Sequence, residues 1–181
     1  MDSFYKCNLF EQQIKNLKNF NVFQNELLLK SYDGVNAQFE KHLIEYRCSF
    51  IEHQSADWSK PTGLIPIKDN NKLLSFTLNN LKQNKVFNYV NFIVIDDRSS
   101  EDVPSICKDF EVSYLRVDNE KGFNFSMLNN IAAKIAYNKG SKEIILWNSD
   151  LFVPDEKQIP ELLNLHRNSF STISGTKLLY P

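Results

Sequence analysis

Cysteine, histidine and glycine are scarce in this 181-residue sequence, which has three, three and five of them respectively. The cysteines are odd in number and widely spaced, which argues against a disulfide framework and is typical of reduced thiols. The histidines share no metal-ligand spacing. The glycine-rich loops that bind phosphates or dinucleotides are absent, and so are serine-nucleophile motifs. These absences argue against a kinase, a dehydrogenase or a hydrolase.

An excess of one charge and long apolar runs are also lacking. The chain has 21 basic and 22 acidic residues and a net charge of −1, so nothing indicates electrostatic capture of nucleic acid. No apolar run approaches the roughly 20 residues that a membrane-spanning helix needs, and the N-terminus lacks the apolar core of a signal peptide. We therefore expect a cytoplasmic globular protein without nucleic-acid partners, with a peripheral position at the inner membrane surface as the alternative.

The N-terminal part of the chain has a helical pattern. Apolar residues recur at helical spacing through residues 3–55, among them Val35, Phe39, Leu43, Tyr46 and Phe50. Pro61 and Gly63 mark the end of this pattern, so we predict a helical segment over residues 1–60. Its helices would cover a face of the following domain or a partner subunit, which makes a homo-oligomer the expected assembly. The polar face is not uniformly basic, so a membrane-surface role is less favoured.

Residues 61–181 alternate between strand and helix patterns. Strands are predicted at 64–67, 92–95, 112–117, 143–147 and 170–173. Helices are predicted at 73–81, from Ser99 or Ser100 to Cys107, at 125–137 and at 156–166. Asn70 is the expected N-cap of the first of these helices, and Gly140 the residue that ends the third. This alternation predicts an α/β fold, a mostly parallel sheet flanked by helices.

Polar residues end three of the predicted strands: PIKDN at 66–70, IDDRSSED at 95–102 and NSD at 148–150. The carboxyl ends of parallel strands meet at one edge of a sheet, where open α/β sheets bind ligands. Asp96 or Asp97 can accept a hydrogen bond from a nucleotide base there, although Asp96 can instead cap the turn that follows. Asn148 and Asp150 offer oxygen ligands to Mg²⁺ or Mn²⁺. The alternative is that they only shape a turn before Pro154.

Four motifs in this order resemble the nucleotide-binding half of a family 2 glycosyltransferase of the GT-A fold. They are PIKDN at 66–70, IDDRSSED at 95–102, GFNFSMLNNIAAKIA at 122–136 and WNSDLFVPDE at 147–156. SGTKLLYP at 174–181 resembles a later segment, after which the family's sequence normally continues. The resemblance covers about two thirds of the chain. It implies a Rossmann-like domain that binds a nucleotide-sugar, truncated at its C-terminus.

The resemblance also implies roles for individual residues. Asp97 would contact the base, with Asp96 a weaker candidate, and Pro66, Ile67 and Lys68 would line the nucleotide pocket mainly through their backbone. Asn148 and Asp150 occupy the place of the family's metal-binding DxD motif. Asn148 supplies only a neutral carbonyl oxygen, so we expect a weakened site that the phosphates complete. The remaining candidates for contacts with the sugar and diphosphate are Asn124, Asn129, Asn130 and Ser149. Asn124 and Ser126 are also candidate N-caps of the helix that begins here.

The activity implied by the resemblance is inverting transfer of a sugar from a nucleotide-sugar, UDP-type favoured, to a hydroxyl of a glycan or lipid-linked acceptor. Surface polysaccharide synthesis is the expected setting. The family's general base would lie beyond Pro181, so no catalytic residue is assigned. The alternative is a non-catalytic module that keeps the fold and binds nucleotide weakly or not at all. A phospho-receiver domain is disfavoured, because its Lys and Thr/Ser partners are not evident.

Overall fold

The computed structural model describes residues 45–54, 56–169 and 173–175. These residues belong to one compact unit, Leu43–Pro181. The strands are β1 (Ser49–Ile51), β2 (Thr62–Ile67), β3 (Asn91–Asp96), β4 (Ser113–Arg116) and β5 (Ile144–Leu146). The helices are α1 (Asn71–Gln83), α2 (Val103–Asp109), α3 (Phe125–Lys139) and α4 (Gln158–Asn168), with a 3₁₀ turn at Val86–Asn88. No helix in the described ranges is long and apolar enough to cross a membrane.

The strands form one sheet in the order β1-β4-β3-β2-β5. β2 pairs in parallel with both β3 and β5, and β3 pairs in parallel with β4. The chain therefore runs outward from β2 through β3 to β4 and then returns to the other side of β2. The predicted α/β fold with a mostly parallel sheet is confirmed. Its direction of winding reverses between β2 and β5, which is where ligands bind in folds of this kind.

Helices cover both faces of the sheet. On one face α1, α2 and α4 pack against alternate strand residues, because successive side chains of a strand point to opposite faces. That core includes Ile65, Phe92, Val94, Tyr114 and Trp147 together with the helix residues Leu74, Leu78, Cys107 and Leu163. On the other face α3 packs against β2 and β3 through Leu128, Ile131 and Ala132. Thus α3, which connects β4 to β5, lies opposite the helices that connect β2 to β3 and β3 to β4.

Two of the predicted helix ends are confirmed. Asn70 Oδ1 accepts a 3.2 Å hydrogen bond from the Leu73 amide at the start of α1. Gly140 ends α3 with φ of 123°, a left-handed value that favours glycine.

The predicted start of α2 at Ser99 or Ser100 is wrong. The helix begins after Asp102, whose Oδ1 accepts from the Ser105 amide at 3.3 Å. Pro104 favours this later start, because proline is tolerated in the first turn of a helix but not further along. The Ser99 amide is instead bonded to the Asp96 side chain.

The helical interpretation of residues 3–55 is wrong at Ser49–Ile51, which form β1. This strand pairs antiparallel with β4, and Phe50 lies opposite Leu115. The helical spacing of apolar residues continues through Phe50, but Arg47 has φ of 44°, outside the right-handed helical range. The helices predicted for residues 3–44 lie outside the described residues. So do residues 170–172 of the predicted fifth strand, and Ile173 is not in a strand.

Candidate functional site

Three strand ends with polar residues lie side by side at the carboxyl edge of the sheet. The register places Ile67 opposite Asp96, and Leu64 opposite Leu146. The pairing continues one step past β5, where the Trp147 amide donates to Leu64 O at 2.9 Å. The residues that follow β3, β2 and β5 therefore occupy one edge. Across the sheet, β3 lies two strand spacings from β5, about 10 Å, and β5 ends opposite Leu64, before β2 and β3 end.

Asp96 is the last residue of β3 and its carboxylate is fully engaged within the protein. It is completely buried. Oδ1 accepts from the Ser99 amide at 2.7 Å, and Oδ2 accepts from Tyr114 Oη at 2.6 Å and from Arg116 Nη1 at 3.2 Å. The bond to Ser99 is the turn contact that the sequence offered as the alternative role for Asp96. These bonds leave Asp96 little capacity to contact a ligand.

Asp97 has the opposite environment although it follows Asp96 directly. Its side chain is also completely buried, yet neither carboxylate oxygen accepts a hydrogen bond. Its ion-pair partner is Lys68, whose Nζ is 3.6 Å from Oδ2 and whose side chain is 39% exposed. Burial raises the pKa of Asp97, and the charge of Lys68 and the nearby Asn119 side chain oppose that shift. Asp97 is therefore a buried hydrogen-bond acceptor, and the partly exposed Lys68 side chain lies between it and solvent.

The loops after β2 and β3 are bonded to each other. The Asp69 amide donates to Ser99 Oγ at 2.7 Å, and the Ser100 amide donates to Asp69 Oδ1 at 2.8 Å. Pro66 and Ile67 are buried, and the Ile67 carbonyl accepts from the Asp97 amide at 2.9 Å. Of the three predicted pocket residues from β2, only Lys68 thus presents an exposed side chain to this edge.

Asn148, Ser149 and Asp150 form a turn directly after β5. The Leu151 amide donates to Asn148 O at 3.2 Å, which closes the turn. The side chains of Asn148 and Asp150 are exposed, and neither makes a hydrogen bond within the described part of the chain. These residues therefore do form a turn before Pro154, as the alternative interpretation predicted. The turn nevertheless leaves the side chains of Asn148 and Asp150 available to a ligand.

This turn can bind a divalent cation only if oxygen atoms of a substrate complete the coordination of the metal. Among the described residues no group of three or more His, Cys, Asp or Glu side chains can hold a metal ion. Mg²⁺, however, commonly binds one or two carboxylates together with substrate phosphates and water. Asp150 provides one carboxylate and Asn148 one amide oxygen, so the donor set matches that minimal arrangement.

The N-terminus of α3 carries the asparagines predicted to contact the sugar and diphosphate. Asn124 is the N-cap, as predicted, and its Oδ1 accepts from the Met127 amide at 3.0 Å. Ser126 lies within the helix. Asn129 is buried and donates to Phe125 O at 2.9 Å, which leaves its Oδ1 without a partner. Asn130 is exposed. The structure thus separates Asn129, part of the helix packing, from Asn130, which faces solvent.

An open depression of about 300 Å³ lies beside this helix end. Its lining includes Tyr46, Asn119, Lys121 and Asn124. Asp97, Asn148 and Asp150 do not line it, so these three predicted residues share the sheet edge, whereas the predicted Asn124 lines the depression. The sequence pattern did not indicate Tyr46 as a lining residue, because it lies in the segment with helical spacing. Lys121 Nζ is 3.1 Å from Glu45 Oε1.

Tyr114 and Arg116 are the structural partners of Asp96 that sequence reasoning missed. The Arg116 guanidinium pairs with Asp96 and with Asp118. Their positions in the sheet explain these contacts with Asp96. Arg116 lies opposite Asp96 in the sheet, and Tyr114 precedes it by two residues on the same face.

No protein-family model matches the sequence, and no curated protein matches it significantly. Comparison of the fold finds solved glycosyltransferases. A mannosyltransferase from Pyrobaculum calidifontis, PcManGT, solved with GDP-Man and Mn²⁺, matches 78% of this chain with a TM-score of 0.51 and 12% identity. At that identity the likeness shows a shared fold. The match spans 43% of the mannosyltransferase chain.

Two structures of S. aureus TarS, residues 1–349, are also similar. The TarS structure and its complex with UDP-GlcNAc each match 60% of this chain at 14% identity, with TM-scores of 0.45 and 0.46. The matches span 32% and 31% of those chains. This chain therefore corresponds to less than half of each solved protein named here.

Proposed function

We propose that residues 61–181 bind the donor of a glycosyltransferase, a nucleotide-sugar, at the edge where β3, β2 and β5 end. The observation that carries this proposal is the buried Asp97 carboxylate. It accepts no hydrogen bond within normal distance, its ion-pair partner Lys68 is 3.6 Å away, and it lies one strand from the point where the winding reverses. A buried acceptor left without a donor costs about 1 to 3 kcal/mol. A ligand that donates to Asp97 would recover part of that cost.

The flat base of a nucleotide suits Asp97. The imide N–H of a uracil-type base would donate to its carboxylate once the Lys68 side chain moves aside. Lys68 is partly exposed and can follow the ligand, and its ammonium group would then lie near the diphosphate. The guanine base offers N–H donors as well, so GDP-sugars are the second donor class to test.

The diphosphate would extend from the end of β3 toward the end of β5, two strands across the sheet. Asn148 and Asp150 would hold Mg²⁺ or Mn²⁺ there together with phosphate oxygens. The cation would neutralise the charge that develops on the departing nucleoside diphosphate. Ser149 and the asparagines Asn124, Asn129 and Asn130 remain proposed contacts to the sugar and diphosphate, of which Asn124 and Asn130 have exposed side chains.

The transfer itself is proposed to invert the sugar configuration. An acceptor hydroxyl, on a glycan or a lipid-linked saccharide, attacks the anomeric carbon, loses its proton to a general base and displaces the nucleoside diphosphate. We assign no residue of this chain as that base. Surface polysaccharide synthesis at the inner face of the membrane is the proposed setting.

Calorimetric titration with UDP, GDP and their sugar conjugates, with and without Mn²⁺, tests the donor site. We expect binding that strengthens with Mn²⁺, and Asp150→Asn should lose that gain. Asp109→Asn, an exposed change of the same charge at the end of α2, is the control and should bind like the wild type. A wild type that binds none of these nucleotides would overturn the donor site and favour a non-catalytic assembly module.

A further inference from the structure

Helix α1 holds the loop that carries Asp150 by three side chains. Thr77 Oγ1 donates to Ser149 O. Asn80 makes two bonds to one residue, because its Nδ2 donates to Val153 O at 3.1 Å and its Oδ1 accepts from the Val153 amide at 2.9 Å. Asn84 Nδ2 donates to the same Val153 carbonyl at 3.1 Å. We call Thr77, Asn80 and Asn84 the α1 clamp.

The α1 clamp is a stripe along one side of the helix. Its members are three and four residues apart, which places them in a row. The adjoining stripe of Leu74, Leu78 and Leu81 is fully buried in the core. Because that core fixes the rotation of α1, the polar stripe has a fixed direction and faces the loop after β5.

The backbone hydrogen bonds of the sheet end at Trp147, and beyond it the α1 clamp supplies hydrogen bonds to the backbone of the loop. Beyond that residue the backbone of Ser149 and Val153 finds its partners in side chains of α1. From the strand side, Trp147 Nε1 donates to Leu151 O at 3.2 Å. Phe152 also packs edge-on against Phe76 of α1, with ring centroids 5.4 Å apart. The loop is thus tied down on both sides of Asp150.

Every bond of the clamp goes to a backbone atom. The Asp150 carboxylate and the Asn148 amide are left exposed and uncommitted. A clamp of this kind fixes where those two groups lie without occupying their oxygens. Groups that hydrogen-bond metal ligands and orient them typically contribute about 10- to 100-fold to metal affinity. The clamp acts through the backbone beside the ligands, so we expect an effect at the lower end of that range.

We propose that Thr77, Asn80 and Asn84 are positioning residues, which hold the Asn148–Asp150 turn in the geometry that binds the cation and diphosphate of the donor. This inference rests on the donor site proposed above. It adds α1, which the sequence motifs do not include, to the machinery of that site.

Hydrogen exchange of the Val153 amide tests the clamp without any ligand. In Asn80→Ala this amide loses its acceptor and should exchange at least about 10-fold faster than in the wild type. The matched control is Asn79→Ala, the neighbouring exposed residue on the same helix, which should leave the rate unchanged. Unchanged exchange in Asn80→Ala would overturn the clamp, whatever the protein binds.

Titration with UDP and with GDP then separates positioning from general structure. Without Mn²⁺, Asn80→Ala should bind nucleotide within about twofold of the wild type, because Asp97 is untouched. With Mn²⁺ its affinity should be about 10-fold weaker. An equal loss with and without Mn²⁺, or no loss at all, would overturn the positioning role. A wild type that binds nucleotide equally well with and without Mn²⁺ would refute the cation site and the positioning role with it, whereas a wild type that binds no nucleotide would refute the donor site itself.

A second test uses Thr77→Val, which keeps the side-chain volume nearly unchanged. Thr77→Val removes the hydroxyl that donates to Ser149 O and should lower the Mn²⁺-dependent affinity, whereas Thr77→Ser keeps the hydroxyl and should retain that affinity. If the two variants bind alike in Mn²⁺, the bond to Ser149 has no positioning role.

Discussion

Asp96 and Asp97 are adjacent and equally buried, yet Asp96 accepts three hydrogen bonds and Asp97 accepts none. The alternation of a strand explains the difference. The Asp96 side chain lies on the face of Tyr114. The Asp97 amide still pairs with Ile67 O, so alternation places the Asp97 side chain on the opposite face. One carboxylate therefore stabilises the fold, while the other is available to a ligand.

Replacing Asp97 by Asn should stabilise the protein at neutral pH. Burial raises the pKa of Asp97, so the folded state disfavours its ionised form. Between about pH 4, the usual pKa of an aspartate, and the raised value, the folded state binds more protons than the unfolded state. Stability from this group therefore falls as pH rises. Asn does not ionise, so the Tm of Asp97→Asn should exceed that of the wild type by more at neutral pH than at pH 4.

The same variant separates stability from binding. In Asp97→Asn the carboxylate is replaced by a neutral amide with one acceptor oxygen. Nucleotide affinity should therefore fall while the Tm rises. Thermal melts at several pH values and calorimetric titration on the same samples check both. If the Tm difference between the variant and the wild type does not change with pH, the ionised Asp97 carboxylate does not destabilise the folded state.

Tyr114→Phe should destabilise the fold by about 1 to 3 kcal/mol, because it removes a 2.6 Å hydrogen bond to a buried charged group. Urea denaturation measures the loss of free energy of unfolding. Tyr89→Phe, at a residue that is 43% exposed, is the control and should change stability by less than about 0.5 kcal/mol. Equal effects of the two variants would mean that the Tyr114 hydroxyl does not stabilise Asp96.

Asn124→Ala should cost about 1 kcal/mol, because Asn124 caps α3 through the Met127 amide. Asn124→Ser should retain most of the stability, since serine also caps helices well. Asn138→Ala lies in the exposed last turn of the same helix and should not destabilise it. Chemical denaturation of the three variants distinguishes the loss of a cap from a general effect of losing asparagine.

Gly63→Ala should destabilise the protein by about 1 to 3 kcal/mol through overpacking. A Cβ at Gly63 would lie 2.3 Å from Cε1 of Phe92, the residue beside it on β3. Phe92 cannot move away easily, because it packs edge-on against both Phe87 and Trp147. Combining Gly63→Ala with Phe92→Leu tests the cause. The pair should lose less stability than the sum of the two single variants, and full additivity would contradict it.

Local sequence patterns were sufficient where a structure is decided by neighbouring residues. The cap at Asn70, the helix end at Gly140 and the strands around Ile65 and Val94 all follow from short segments. β1 was missed because its three residues continue a helical spacing. The left-handed backbone of Arg47 is incompatible with a continuous helix, and no glycine or proline in the sequence signals it.

Contacts between distant segments could not be predicted in the same way. The sequence identified Asp97, Asn148 and Asp150 as site candidates, and it placed their strand ends on one edge. It carried no sign that Asn80 bonds to Val153, a residue 73 positions away. Asparagine on a helix is usually solvated, and only the assembled sheet shows which backbone groups it meets.

The return of the chain from β4 to β5 also has a consequence for folding. Thr62 at the start of β2 and Ser141, shortly before β5, are joined by a buried 2.9 Å hydrogen bond across 79 residues of sequence. Closing so long a loop is slow compared with forming β2, β3 and their connecting helix. We expect β5 to dock last and so to complete the edge that carries Asn148 and Asp150. A nucleotide that binds at this edge would then bind only the completed sheet and would draw late intermediates toward the native state.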